Sequence, residues 1–409
     1  MLNKRTFFLL LIALIPLSFI LTQCFTSTAK DPRGELYAGS ESCVKCHSSV
    51  YDSYIHTAHF QSSRPASLNN IGGSFAKGSN VFEYGNGFKV VMEKRGDSLY
   101  QTGYLNGKKQ AEAPFDVAIG GVKAQTYLYW KGSQLFELPV SYFTAVHAWA
   151  NSPGYAMGYI NFQRPILKKC LECHTSFVDD VAPEKMEIGF DKATLIYGID
   201  CERCHGPAAN HVNYHTAYPE EKKAKYITTY SSLTRAQKMD ACALCHSGNK
   251  GVFQRSSYTF KMGDTLAKFK TPDFYSNNLK NPPLDVHGNQ TALLSSSKCF
   301  IMSNMDCNTC HDPHARQDKG LAIYTPKCLS CHSEAKHNFC PLGTKLGTAI
   351  NSYCINCHMP QQASHIIQLK SSEGKMDTPY LLRTHHIAVY PEETEKVLAF
   401  IKAQSSPVR

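Results

Sequence analysis

Seven times along this chain the same five-residue pattern is written: "CVKCH" at 43–47, "CLECH" at 170–174, "CERCH" at 201–205, "CALCH" at 242–246, "CNTCH" at 307–311, "CLSCH" at 328–332 and "CINCH" at 354–358. The copies use fourteen of the seventeen cysteines in 409 residues. A chain of this composition would hold about 0.03 such patterns by chance, so coincidence is excluded. Residues i and i+3 share one face of a helical turn. Both thiols of each pattern can therefore reach the two vinyl groups on one porphyrin edge, and the adjacent histidine can offer its nitrogen to the iron. This is the attachment signature of c-type haem. A structural zinc site wants four ligands from paired Cys-x-x-Cys units and has no use for a histidine directly after each second cysteine. A redox dithiol does not need that histidine either. The expectation is seven covalent haems c. They are held by Cys43 and Cys46, Cys170 and Cys173, Cys201 and Cys204, Cys242 and Cys245, Cys307 and Cys310, Cys328 and Cys331, and Cys354 and Cys357. The proximal iron ligands are His47, His174, His205, His246, His311, His332 and His358.

Eleven histidines stand outside the patterns: His56, His59, His147, His211, His215, His287, His314, His337, His365, His385 and His386. Seven irons closed on both faces need seven of them. The others would be solvated or core histidines, or proton donors at an open iron.

The motif starts are unevenly spaced, which excludes a solenoid of fixed period. The longest gap follows the first motif and differs in texture. From about 72 to 145 it holds no cysteine, and apolar runs alternate with turn signals, as in "VFEY" GNG "FKVVMEK" RGD "SLYQTGY" LNG. β-branched and aromatic runs bounded by Gly and Asn read as antiparallel hairpins, with five or six strands expected. After Ser152-Pro153-Gly154 the haem-bearing texture returns as short helices and irregular segments, because haems occupy the volume that side chains would otherwise fill. Residues 232–246, "SLTRAQKMDACALCH", read as a capped helix entering the fourth motif. The expected fold is a mainly α and irregular multihaem core with an inserted antiparallel β-rich domain. The division is a signal at 1–24, a first-haem segment at 25–71, the β-rich insertion at 72–160 and a six-haem region at 161–409.

Lys4 and Arg5 precede an uncharged apolar run from Phe7 to Leu21. The run is shorter than the roughly 20 residues of a membrane-spanning helix and reads as an export signal. It ends "LTQC", which resembles a bacterial lipobox with Cys24 as the lipidated residue, although Gln23 departs from the small residue usual there. The expected location is exported, periplasmic or membrane-anchored through lipid. The net charge of +10 does not point to nucleic acid. Loss of residues 1–24 removes two cations and no acid, leaving +8. Fourteen propionates then bring seven ferrous haems to −6, and seven ferric centres return the total to +1. The basicity reads as compensation for an acidic cofactor. Redox partner proteins are the expected partners.

Several blocks resemble the multihaem cytochromes of the cytochrome c-554 type. "CVKCHSSVYDSYIHTAH" is similar to the opening haem of that family, with a distal histidine about a dozen residues downstream, which implies His59. "GIDCERCHGPAANH" resembles a block whose ligand histidine lies four residues past the proline, implying His211 over His215. "VHGNQ" with "SKCF" and "MDCNTCHDPH" implies His287 and His314, and "CINCHMP" with "RTHHI" implies His385 over His386. His337 and His365 complete a set of seven distal candidates. "LFELPVSYF" before "GYAMGY" also looks like the family. The resemblance spans most of residues 40–390, and the family includes both electron carriers and relatives of nitrogen-converting enzymes. A Cys-x-x-Cys-Lys haem is absent from this sequence, and seven motifs fall short of an octahaem set. Cys299 and Cys340 lie outside the motifs, either as a disulfide or as two thiols.

Three readings follow. The leading one is an electron conduit of mostly bis-histidine haems. The alternative is a multihaem oxidoreductase with one open iron acting on a small nitrogen or sulfur oxyanion, with His56, His147 or His215 as proton donors. The third is a docking subunit built on the β-rich segment.

Overall fold

The structure is a computed structural model, and it describes residues 31–181, 188–248, 250–271, 284–316, 320–333, 339–370, 372 and 377–405. Residues 1–24, with Cys24, and His337 lie outside the described residues. Short helices and antiparallel strands alternate along the chain.

The most regular part is an antiparallel meander of β2 (Val81–Gly85), β3 (Phe88–Arg95), β4 (Ser98–Leu105) and β5 (Lys108–Pro114). Asn86 and Gly87 both have positive φ (52° and 78°), as do Asn106 and Gly107 (49° and 79°). That is the backbone twist a two-residue hairpin turn needs, and Asn-Gly tolerates it best. A second sheet runs in the order β1 (Ser63–Pro65), β6 (Val117–Gly120), β7 (Ala124–Lys131), β8 (Gln134–Glu137), β11 (Arg164–Pro165). Onto β7 also pairs β9 (Val140–Phe143), which carries β10 (Ala148–Asn151).

Between 72 and 160 there are nine strands rather than five or six. The run "KKQAEAPFDVAI" divides because Phe115 turns into the core while the Asp116 carboxylate accepts the Trp130 amide at 2.7 Å. "QLFELPV" divides at Pro139, which has no amide to continue a ladder.

The two sheets share one core, with Phe82, Tyr84, Val90, Met92, Phe115, Tyr127, Leu138, Val140, Phe143 and Trp149 all buried. Gln101 of β4, fully buried, donates to the Val140 carbonyl at 2.7 Å and accepts the Val140 amide at 3.0 Å. It acts as a strand partner across the two sheets, so no backbone group of Val140 is left unpaired.

Strand also occurs where helix and irregular chain are expected. β12 (Thr175–Phe177) pairs with β13 (Ile196–Tyr197), and β14 (Val252–Phe253) with β15 (Lys270–Thr271). Nearer the C-terminus β16 (Gln361–Lys370) and β17 (Asp377–Arg383) form a hairpin. Ile367, Leu369 and Tyr380 of this hairpin enter the core of the two sheets, and Tyr380 meets Phe143 edge-on at 5.6 Å.

The motifs sit on short helices: Val44–Tyr54, Lys168–His174, Cys201–His205, Arg235–His246, Thr325–Leu329 and Cys354–His358, with a single tight turn at Cys307–Thr309. The helix Arg235–His246 has its expected cap. Thr234 accepts from the Gln237 amide and the Gln237 side chain answers the Thr234 amide, a capping box.

Candidate haem centres

All seven motifs face one continuous cavity of about 4240 Å³, lined by every one of the fourteen motif cysteines and seven motif histidines. A pocket for one small molecule is about 300–1,000 Å³. This cavity is therefore on the scale of several large groups, and the donor set around it, thiol pairs with one imidazole each, is that of c-type haem. The residues fit the cofactor.

The spacing of the histidine rings is more specific. His47 of the first motif faces His211, ring centres 6.4 Å apart and planes 18° apart. His205 of the third faces His314 at 5.9 Å and 14°. His311 of the fifth faces His385 at 6.2 Å and 30°. His246 of the fourth faces His59 at 6.1 Å and 78°. Two imidazoles on opposite sides of a metal, with bonds of about 2.0–2.1 Å and about 1.1 Å from each nitrogen to its ring centre, have ring centres about 6.3 Å apart. Each pair joins a motif histidine to one from a different part of the chain. For the second motif, His174 lines the cavity, and His287 is among the imidazoles acting on it electrostatically.

Desolvation by the surrounding chain favours the neutral form of these rings, the form that binds iron. His59, His174 and His385 are pushed down to about 4 by burial and by neighbouring imidazoles. His205, His287 and His311 are lowered by burial as well. Second-nitrogen contacts fix some rings. His211 Nδ1 lies 2.7 Å from the Lys225 carbonyl and His358 Nδ1 lies 2.8 Å from the Ala388 carbonyl. Such contacts set the tautomer and leave Nε2 toward the cavity.

Not every candidate reaches the cavity. His56, His147, His215 and His386 line it along with the paired histidines. His365 does not: it is exposed on β16, where its amide is held by the Asp285 carboxylate. Cys299 and Cys340 are free thiols that line the cavity in different places. Cys299 feels Cys331, whereas Cys340 acts on Cys354 and Cys357.

The residues between the motif cysteines have a role that spacing alone did not reveal. Glu202 is 3% exposed and accepts from the amides of Ala38 (2.9 Å), Gly39 (2.9 Å) and Ala208 (2.8 Å). Arg33 joins it at 3.1 Å and binds Asp200 at 2.8 Å and Asp31 at 2.9 Å. Arg203 donates to the carbonyls of Ser257 (2.8 Å) and Glu172 (3.0 Å), while the Glu172 carboxylate accepts from Ser256 and Ser257. Glu172, Glu202 and Arg203 thus tie the second and third motifs to each other and to the segment before the first. Gly198 completes the fit with φ of 65°, because a Cβ there would lie 1.9 Å from the Phe60 carbonyl oxygen. Charged residues inside a Cys-x-x-Cys were the available signal. Thiols of different motifs also act on one another, Cys43 with Cys201, Cys173 with Cys245, and Cys242 with Cys307.

Residues 144–206, which include the second and third motifs, match the family described as Cytochrome c554 and c-prime. A relative, Multiheme cytochrome MtrA of Shewanella baltica (strain OS185), is 27% identical over 150 residues. That match spans 34% of this chain and 44% of the relative, so less than half of the relative's length is represented. The crystal structure of Outer Cell Wall Cytochrome OcwA aligns over 88% of this chain and 82% of its own, with a TM-score of 0.54 at 16% identity, which is a likeness of fold.

Proposed function

We propose that this chain, a multihaem c-type cytochrome, carries electrons through seven covalent haems, most of them closed by two histidines, outside the cytoplasm. The observation that supports this best is the set of four imidazole pairs with ring centres 5.9–6.4 Å apart, each uniting a motif histidine with a distant one. An iron with two histidine ligands has no open coordination position, and the chemistry it supplies is one-electron exchange. The protein's part is to hold ligands and spacing. His211, His314, His59 and His385 serve the first, third, fourth and fifth motifs in this reading, and His287 serves the second. The mutual influence of thiols in different motifs supports neighbouring porphyrin edges lying near one another in the groups 1–3 and 2–4–5 rather than in motif order. Redox proteins are the proposed partners. Export through residues 1–24, with lipid on Cys24, belongs to the same reading, and no helix among the described residues is long and apolar enough to cross a membrane.

A second reading, an oxidoreductase with one open iron, draws on two placements. His365 is turned to solvent, and His358 faces no histidine ring among the described residues. One preparation tests both. The intact mass of the mature protein should equal the chain plus seven haems, with a lipid increment on Cys24. The resting ferric spin-resonance spectrum should be dominated by low-spin centres. Five haems or fewer in a folded product would end the heptahaem reading, and one high-spin centre among seven would move the weight to the oxidoreductase.

A further inference from the structure

We propose that Glu137 is a proton-exchange site tied to the haem held by Cys170 and Cys173, binding a proton when that haem is reduced and releasing it on oxidation. The inference rests on the reading that the second motif carries a haem. Glu137 ends β8 directly opposite Arg164 of β11, and it lines the cavity together with Arg164, Ile166, Lys169 and Cys170. It is 7% exposed, an uncommon setting for a carboxyl with a single ion-pair partner.

The elements packed around it leave that partner alone. From β7 the residue opposite is Leu128. The loop at 153–155 brings Tyr155, whose hydroxyl is spent on the Glu137 backbone carbonyl at 2.7 Å and whose ring lies against the Arg164 guanidinium at 5.2 Å. From β2 comes Tyr84, its hydroxyl already donated to the Pro139 carbonyl. The helix Lys168–His174 brings Cys170, with Lys169 acting on that thiol. Arg164 lies 3.1 Å from the carboxylate, but its side chain is 43% exposed and also bonds the Pro153 carbonyl. It offsets only part of the desolvation, and burial pushes the Glu137 acid up to about 7. The carboxyl is thus poised near neutral pH.

The link to electrons is reciprocal. Glu137 and Cys170 both line the cavity, so whatever free energy the carboxylate contributes to the redox equilibrium of the group attached at Cys170, the charge of that group contributes equally to the proton equilibrium of Glu137. An oxidised centre carries one more positive charge than a reduced one and favours the carboxylate. When one electron arrives from a donor, Glu137 takes one proton from solvent. When the electron leaves, the proton returns. No other bond changes.

The test uses the holoprotein with all its haems. In redox titrations from pH 6 to 8, one component of the wild type should shift by up to tenfold per pH unit in its reduction equilibrium, about 59 mV for one electron. Infrared difference spectra at pH 7 should show a protonated carboxyl stretch growing on reduction. Glu137→Gln should abolish both signals, Glu137→Asp should move the stretch, and Glu112→Gln, at an exposed acid, should change neither. A wild type with no pH-dependent component, or a stretch that survives Glu137→Gln, overturns the proposal. Intact mass separates the two ideas: a missing haem at the second motif counts against the haem reading, whereas seven haems without proton uptake count against Glu137.

Discussion

Strand β7 buries Gln125, Tyr127, Leu128 and Tyr129, whereas the three helical turns Cys307–Thr309, Ala322–Tyr324 and Thr325–Leu329 bury no side chain. The two regions are comparably local in sequence, yet they exclude water by different means. In the first, aromatic and aliphatic side chains interdigitate, as where Phe115 meets Tyr127 at 4.8 Å and Phe75 at 5.7 Å. In the second, the apolar material is not supplied by the chain, whose residues instead line the shared cavity. A sequence can thus be ordinary in hydrophobic content and still hold a region that cannot close on its own. Around the second and third motifs the chain adds wiring of another kind, buried ion pairs such as Arg33 with Glu202, which fix geometry better than they stabilise it.

The largest effect expected from this contrast is on the chain made without haem attachment. Amide exchange should then separate the regions. Strands β3, β4 and β7 should keep slow exchange, while 298–332 and 354–358 should approach the opening free energy near zero of unstructured segments. Persistent protection at 307–329 in the haem-free chain would break the comparison, because a side-chain core would have to exist there.

The converse is smaller. Phe115→Ala removes a 6%-exposed ring from the centre of the two-sheet core, and a truncation of this kind costs about 3–5 kcal/mol. Denaturant unfolding followed by tyrosine and tryptophan fluorescence should report that loss, with seven haems still attached and the visible spectrum unchanged. Loss of haem ligation in this variant would mean that the two regions unfold as one.

The same contrast governs what could be read from the sequence. The hairpins at Asn86-Gly87 and Asn106-Gly107 and the capping box at Thr234 and Gln237 were legible because each is decided within four residues. The hairpin of β16 and β17 was not, since its reason for being strand is a seat for Tyr380 against Phe143, far away in the chain. The motif cysteines and histidines follow from spacing alone, and the number of spare histidines followed from counting. Which spare histidine faces which motif did not. His59 meets His246 and His314 meets His205 only because the chain is folded back on itself. The placement of His365 on the solvent face of β16 depends on a strand that the sequence did not announce.

The smallest effect is expected from a choice within one helix. His211 and His215 lie one turn apart on Ala209–Ala217, their ring centres 4.6 Å from each other, and both line the cavity. His215 is a real competitor, because its Nε2 is buried without a hydrogen-bond partner. Geometry favours His211. Its ring is nearly parallel to that of His47 at axial-pair distance, and its Nδ1 is held by the Lys225 carbonyl, so the other nitrogen is the one presented. Gly206, with φ of 76°, turns the chain after the third motif and carries this helix toward the first motif rather than back to its own. His211→Ala should therefore open one iron of seven, giving a new high-spin signal and about one equivalent of carbon monoxide binding, with the haem count and the unfolding midpoint nearly unchanged. His215→Ala should leave the spin states as they were. The reverse result would transfer the axial role to His215. No change in either variant would mean that the 6.4 Å approach to His47 is packing alone, and the first haem would then have to be closed by another residue.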